Sequence, residues 1–297
     1  MAAEEISVAG IRIHKQNFNK SRGRGYYSSI DILHLEQIRT ILQDEALSRE
    51  QKEIHIRDHV TTRPLGQFSD ETLFRSTRWS PDSQSLAFLI TEADDVQLWV
   101  ADVASGKTKQ VASHVNCSVS VSSFTWARDS KSLFFLQAVE KGNPVPSTPI
   151  PPFSPAISSN VLGKKAIART YQNLLTNAHD EALFRFFGTS QVVQVDITGD
   201  EPPVPMPQTQ GLIQSLSLSP NGEYLLTKQI CQPFSYLVPY TRFPHVNQIW
   251  KVQAPESAPV FRQDIPLQEQ IPSIRDAVGT GPRQCMLSLL LRCGLKT

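Results

Sequence analysis

Short glycine motifs are what this sequence most conspicuously lacks. Its 297 residues include 14 glycines, no two of them four positions apart, so a G-x-S-x-G nucleophile elbow is excluded. Phosphate-cradling loops are excluded as well: there is no P-loop, and Gly23 and Gly25 are followed by Ser28 where a G-x-G-x-x-G motif needs its third glycine. Cysteine is equally sparse. Cys117, Cys231, Cys285 and Cys293 are scattered without a C-x-x-C pair, so they imply neither a disulfide framework nor a zinc site, and they read as free buried thiols. No metal and no cofactor is expected. Charged residues make up 19%, with 29 Lys+Arg against 28 Asp+Glu for a net charge of +1, which gives no footing for a nucleic-acid binder or a polybasic membrane-surface protein. The longest apolar run, Met286 to Leu291 with Ser288 inside it, is far too short to span a bilayer. The first residues, Met-Ala-Ala-Glu-Glu, are acidic and have no apolar core, unlike a secretory signal. The sequons at Asn19 and Asn116 therefore carry little weight.

What is plentiful is the vocabulary of strands and turns. Prolines number 21 and exceed the glycines, and Ser, Thr, Gln and Val are abundant. One pattern recurs three times. Arg78-Trp79-Ser80-Pro81-Asp82-Ser83-Gln84-Ser85-Leu86-Ala87-Phe88 returns as Thr125-Trp126-Ala127-Arg128-Asp129-Ser130-Lys131-Ser132-Leu133-Phe134-Phe135, and again as Ser217-Leu218-Ser219-Pro220-Asn221-Gly222-Glu223-Tyr224-Leu225-Leu226. Each copy reads strand, tight turn, strand: Pro presets φ, Asp or Asn bonds the turn backbone, and Ser or Gly tolerates the exit geometry. The bulky residue before each turn (Trp79, Trp126, Leu218) is expected in the core. A second hairpin follows each copy, beginning at Gln97, Gln191 and Asn247. Four antiparallel strands repeating at a period in the forties predict a β-propeller blade.

The fold class expected is all-β: an incomplete β-propeller of about three to four four-stranded blades with a short helical insertion. Residues 1–283 are read as the partial propeller. It divides into a partial blade at 1–75, a blade at 76–121, and a blade at 122–210 whose Pro-rich and helical insertion occupies 140–187. A blade at 211–270 and a link at 271–283 complete it. Asp82 to Asp129 spans 47 residues and Asp129 to Asn221 spans 92, and the insertion accounts for the doubling. In the insertion, Arg169 to Phe184 has apolar positions that fit two short helices broken near Asn177. Upstream, Tyr26 to Leu35 and Glu53 to Val60 read as strands flanking a helix from Glu36 to Gln51. Residues 284–297 show neither a turn signal nor strand alternation and are expected to be an aberrant, frameshifted or mis-spliced tail.

Candidates for chemistry are few. His55 and His59 could share a metal on a helix, but Glu53-Ile54-His55-Ile56-Arg57-Asp58-His59 alternates as a strand does, which would hold the two about 13 Å apart. Asp94-Asp95 and Asp180-Glu181 read as a hairpin tip and a helix start, where carboxylates serve turns and caps. Arg242 stands out as the one cation in an apolar, Pro-rich stretch, Phe234-Ser235-Tyr236-Leu237-Val238-Pro239-Tyr240-Thr241-Arg242-Phe243-Pro244-His245, placed to offer a guanidinium to a substrate carboxylate. No catalytic residue is assigned.

Several longer segments are specific enough to resemble a family. Ala168-Arg169-Thr170-Tyr171-Gln172-Asn173-Leu174-Leu175 followed by His179-Asp180-Glu181-Ala182-Leu183-Phe184 resembles an insertion in the glutamyl endopeptidase-like members of the prolyl oligopeptidase family of serine peptidases. So do, in matching order, Val8-Ala9-Gly10-Ile11-Arg12-Ile13, Pro233 through Pro244, and Asp276-Ala277-Val278-Gly279-Thr280-Gly281-Pro282-Arg283. The resemblance implies a seven- or eight-bladed propeller capping an α/β-hydrolase with a Ser-Asp-His triad, acting on peptides with a preference for bonds after glutamate. None of the triad positions falls in this chain, so the expectation is a propeller fragment, inactive alone, with the hydrolase domain outside it. Peptides would be the partners of the full-length relative, with no nucleic acid and no membrane. The implied compartment is chloroplast stroma or bacterial cytoplasm or periplasm. The alternative is a non-catalytic propeller scaffold for protein interaction. Against that alternative, none of Trp79, Trp99, Trp126 and Trp250 is followed by the Asp of a WD repeat.

Overall fold

The computed structural model describes residues 5–20, 29–33, 35–59, 62–69, 71–147, 171–199, 201–254 and 256–269. The link at 271–283, the tail at 284–297, the far half of the Pro-rich loop and Ala168 to Thr170 lie outside the described residues. In chain order the elements are β1 (Glu5–Val8), β2 (Ile11–His14), β3 (Asp31–Leu33), α1 (Leu35–Gln43), α2 (Arg49–His59), β4 (Thr62–Pro64), β5 (Leu73–Trp79), β6 (Ser85–Thr91), β7 (Val96–Asp102) and β8 (Thr108–Ala112). They continue as β9 (Phe124–Trp126), β10 (Ser132–Ala138), α3 (Ala178–Gly188), β11 (Ser190–Asp196), β12 (Val204–Pro205), β13 (Leu212–Leu218), β14 (Tyr224–Ile230), a 3₁₀ turn at Tyr240–Arg242, β15 (His245–Lys251) and β16 (Phe261–Ile265).

Three sheets repeat one topology. β5-β6-β7-β8, β9-β10-β11-β12 and β13-β14-β15-β16 are each four-stranded antiparallel meanders in which sequence neighbours pair. This is the strand order of propeller blades, and the fold is an incomplete β-propeller. The tight turns that open each blade share their chemistry. The backbone N–H groups of Ser80, Ala127 and Ser219 donate across the turn to the carbonyls of Ser85, Ser132 and Tyr224, each at 2.8 Å. Ser83, Ser130 and Gly222 occupy the same left-handed position at φ 60, 58 and 77°. The carboxylates of Asp82 and Asp129 and the carboxamide oxygen of Asn221 accept from the next backbone N–H groups.

Between the blades, alternate side chains of one strand serve two cores. On β10, Leu133 and Phe135 pack toward the first blade with Leu89, Leu98, Phe124 and Val193, while Phe134 and Leu136 pack toward the third with Ile213, Leu216, Leu225 and Trp250. A strand buried on both faces must be apolar at consecutive positions, which is why Leu133 to Leu136 reads as an unbroken run. The blades are also stitched by polar contacts. The Trp126 indole Nε1 donates to Arg78 O at 2.9 Å, Asp82 N donates to Ser130 Oγ at 3.1 Å, Val121 N donates to Gln214 O at 2.7 Å, and the Arg128 guanidinium donates to Pro220 O.

Four expectations are corrected. Glu53 to Val60 does not form a strand: residues through His59 belong to α2, and Ser48 supplies the capping box, its Oγ accepting from Gln51 N while Gln51 Oε1 accepts from Ser48 N. That local start signal prevails over the short alternation of Ile54 and Ile56. The upstream helix is two helices, α1 and α2, parted at Asp44 to Ser48, where Asp44 Oδ1 accepts from Ala46 N. In the insertion, only one helix follows Asn177, whose Oδ1 caps it by accepting from Asp180 N at 3.0 Å; the described residues before it are non-helical, with Asn173 at φ 59°. Trp79 is 52% exposed, whereas Trp126 is 6% exposed. Trp126 is covered by the blade before it, and among the described residues no four-stranded blade stands in that place for Trp79.

Candidate functional site

The hairpin β1–β2, the segment from Tyr171 through α3, and the loop from Cys231 to Pro244 converge on one region and share a core of their own. Val8, Ile13 and Phe18 from the N-terminal segment pack with Leu175, Phe184 and Phe187 from the insertion and with Val238, Tyr240 and Phe243 from the loop. Ring contacts fix the loop. Phe234 stacks on Phe243 with centroids 5.3 Å apart, and both meet Phe184 edge-on. Backbone bonds fix the hairpin: Tyr240 N donates to Ala9 O at 2.9 Å and Gly10 N donates to Asn173 O at 2.7 Å. Gly10 sits at φ +83°, and a Cβ there would lie 2.6 Å from Pro239 Cβ, so the close approach of hairpin to loop requires glycine.

Around this junction lies a hollow of about 460 Å³ lined by Gly10, Ile11, Arg12, Lys20, Tyr171, Gln172, Asn173 and Pro239. Lys20 Nζ donates to Ser120 O and to Tyr240 Oη, each at 3.0 Å, and lies 5.5 Å from the Tyr240 ring centre. Arg242, the sequence candidate, lies on the 3₁₀ turn with its guanidinium 5.8 Å from the centre of the Tyr171 ring, a cation–π contact with a wall of the hollow. The cations that line the hollow itself are Arg12 and Lys20, which the sequence pattern did not single out. They lie more than 220 residues before Arg242 in the chain, which hid the connection through Tyr171.

Other candidates serve the framework. Asp95 Oδ1 accepts from Val96 N and His114 N and meets His114 Nδ1, closing the tip of its hairpin. Asp180 accepts from Thr176 N at the start of α3, and Glu181 accepts from the Tyr236 hydroxyl, which raises the phenol's pKa. His55 and His59 share α2; among the described residues no group of three His, Cys, Asp or Glu side chains could hold a metal. The sequon asparagines are buried and bonded: Asn19 is 0% and Asn116 1% exposed, and Asn116 bridges to Phe187 O and Thr189 O. Cys117 is fully buried, which pushes its thiol pKa up. A second hollow, about 570 Å³, lies where the three blade-opening turns meet and is lined by Asp82, Arg128 and Asp129 among others.

No protein-family profile matches the chain. Curated relatives do. A probable glutamyl endopeptidase, chloroplastic, of Oryza sativa subsp. japonica is 28% identical over 291 residues, covering 95% of this chain and 28% of the relative. The protein of the same name from Arabidopsis thaliana is 29% identical over 292 residues, again 95% of this chain and 28% of the relative. The chain therefore spans under a third of the length of these relatives. Among solved structures, an acylaminoacyl peptidase in complex with a chloromethyl ketone has 15% identity and a TM-score of 0.36, covering 71% of this chain and 26% of that one. The propeller domain of the Trilobed protease from Pyrococcus furiosus has 10% identity and a TM-score of 0.37, covering 66% and 43%. Over nearly all of its length, then, the chain is similar to proteins named as probable glutamyl endopeptidases, the group its motifs resemble.

Proposed function

We propose that this chain is a propeller portion of a glutamyl endopeptidase-like serine peptidase, that it admits and orients peptide substrates, and that it has no hydrolytic activity by itself. The observation that carries this reading is the alignment of 95% of the chain with 28% of relatives named as endopeptidases, over a region folded as propeller blades. The unit boundaries read from the sequence repeat remain part of this proposal. The hydrolysing serine, histidine and aspartate are assigned to a region beyond these 297 residues, and the compartment is proposed as chloroplast from the relatives' names. No helix among the described residues is long and apolar enough to cross a membrane.

Within this reading Arg242 is the cation that meets a substrate carboxylate. Its position on a short turn, in a loop braced by Phe234 and Phe243, supports the role because the guanidinium is held against the ring of Tyr171, itself a wall of the hollow. The test is kinetic. In a polypeptide that includes the hydrolase domain, Arg242→Ala is expected to lower kcat/KM for glutamyl peptides and to leave glutaminyl peptides little changed. An equal kcat/KM for the variant and the parent on glutamyl peptides would remove Arg242 from substrate recognition.

A further inference from the structure

We infer that the hollow at the Gly10 turn is a carboxylate-binding subsite for an acidic polypeptide segment, with Arg12 and Lys20 as its cations. Among the described residues two cations line this hollow and no carboxylate does. Lys20 Nζ donates to two neutral acceptors, Ser120 O and Tyr240 Oη, so among the described residues no carboxylate balances its charge, and two bonds use two of its three N–H groups. Tyr240, 7% exposed, accepts from Lys20 and so fixes where the ammonium sits. Arg12, exposed on β2, has no carboxylate partner among the described residues; the nearby Glu5 pairs with His14 at 3.4 Å instead. Gathering like charges around a concave surface raises the local potential and favours an anion. The remaining lining argues for polypeptide over a free phosphate. Gln172 and Asn173 bring carboxamides that can both donate to and accept from a peptide backbone, and Tyr171 brings an aromatic wall that a small inorganic anion would not use. The polypeptide part of this inference rests on the proposed peptidase role, whereas the anion part rests on the cations alone.

The experiment is fluorescence anisotropy of the 297-residue chain with labelled acetyl-tetraglutamyl amide and acetyl-tetraglutaminyl amide. The glutamyl peptide is expected to bind severalfold tighter, and Arg12→Gln is expected to weaken it about three- to fivefold, the yield of one largely solvated charge contact. Lys20→Met, with circular dichroism to confirm folding, should weaken it further. Equal binding of the two peptides, or no change with Arg12→Gln, would overturn the subsite. Displacement of the glutamyl peptide by an equal concentration of inorganic phosphate would overturn its assignment to polypeptide. If binding follows these rules while the polypeptide bearing the hydrolase leaves glutamyl peptides uncut, the peptidase reading fails and the anion site stands. Cleavage with unaltered binding by Arg12→Gln gives the reverse.

Discussion

Replacing Asn116 with alanine should unfasten the insertion from the second blade. This side chain is 1% exposed and makes four bonds: Nδ2 donates to Phe187 O at 2.9 Å and Thr189 O at 3.1 Å, and Oδ1 accepts from Ser118 N at 2.9 Å and Ser118 Oγ at 2.6 Å. After truncation the one hydrogen of Ser118 Oγ, shared until then between Asn116 Oδ1 and Phe187 O, goes to Phe187 O, and Thr189 O still accepts from Val139 N, but Ser118 N–H is left buried without an acceptor. At about 1 kcal/mol for each of the two Nδ2 bonds lost and about 1–3 kcal/mol for the orphaned Ser118 N–H, the variant should be destabilised by about 3–5 kcal/mol. Urea unfolding followed by tryptophan fluorescence measures this, since Trp126 and Trp250 are buried and report on the blades. Gln253→Ala, on an exposed side chain, is the control and should stay within about 0.5 kcal/mol of the parent. Asn116→Asp adds a directional check. Its second oxygen would face two carbonyls, and together with burial that raises the folded pKa of the carboxyl above its unfolded value. Stability is then fullest below the unfolded pKa and is lost as pH rises, so its deficit against the parent should grow from pH 4 to pH 8. An Asn116→Ala variant as stable as Gln253→Ala would refute the reasoning.

Gly10→Ala should cost about 1–2 kcal/mol from the left-handed backbone alone and should also push the hairpin off Pro239. Faster hydrogen exchange at Tyr240 N–H, which donates to Ala9 O, would register the displacement, and unchanged exchange would count against it. His245 is buried, and burial together with neighbouring Lys228 holds its imidazole below the ordinary value of 6.5. The neutral form is therefore favoured in the fold, so this contribution to stability is present above pH 6.5 and is lost as pH falls through the lower folded value. His245→Gln should flatten that acid limb of the melting profile; an unaltered limb would show that another group sets it. The Cys117 thiol, fully buried with a raised pKa, should react with an aromatic disulfide reagent only on unfolding, so labelling at Cys117 in the native chain would contradict its placement.

The blades were legible because their signals are local. A Pro-Asp-Ser or Pro-Asn-Gly turn between apolar runs states its own geometry, and the doubly buried β10 announces itself as consecutive apolar residues. The helices were misread where two local signals compete: in Arg49–His59 the Ser48–Gln51 capping box prevails over the alternation of Ile54 and Ile56. Trp79 was misread because burial depends on the neighbouring blade, which the residue's own sequence does not describe. The hollow was half legible. Arg242 announced itself as a lone cation in an apolar loop, but Arg12 and Lys20 reach the same region only because Gly10 lets the hairpin close onto Pro239, a contact between residues far apart in the chain.

The measurement that bears most directly on the account is turnover of an internally quenched glutamyl peptide by the purified 297-residue chain. The account predicts no cleavage above buffer, together with cleavage by a polypeptide that joins this propeller region to its hydrolase domain. Turnover by the chain alone, blocked by a serine-directed phosphonate, would contradict it.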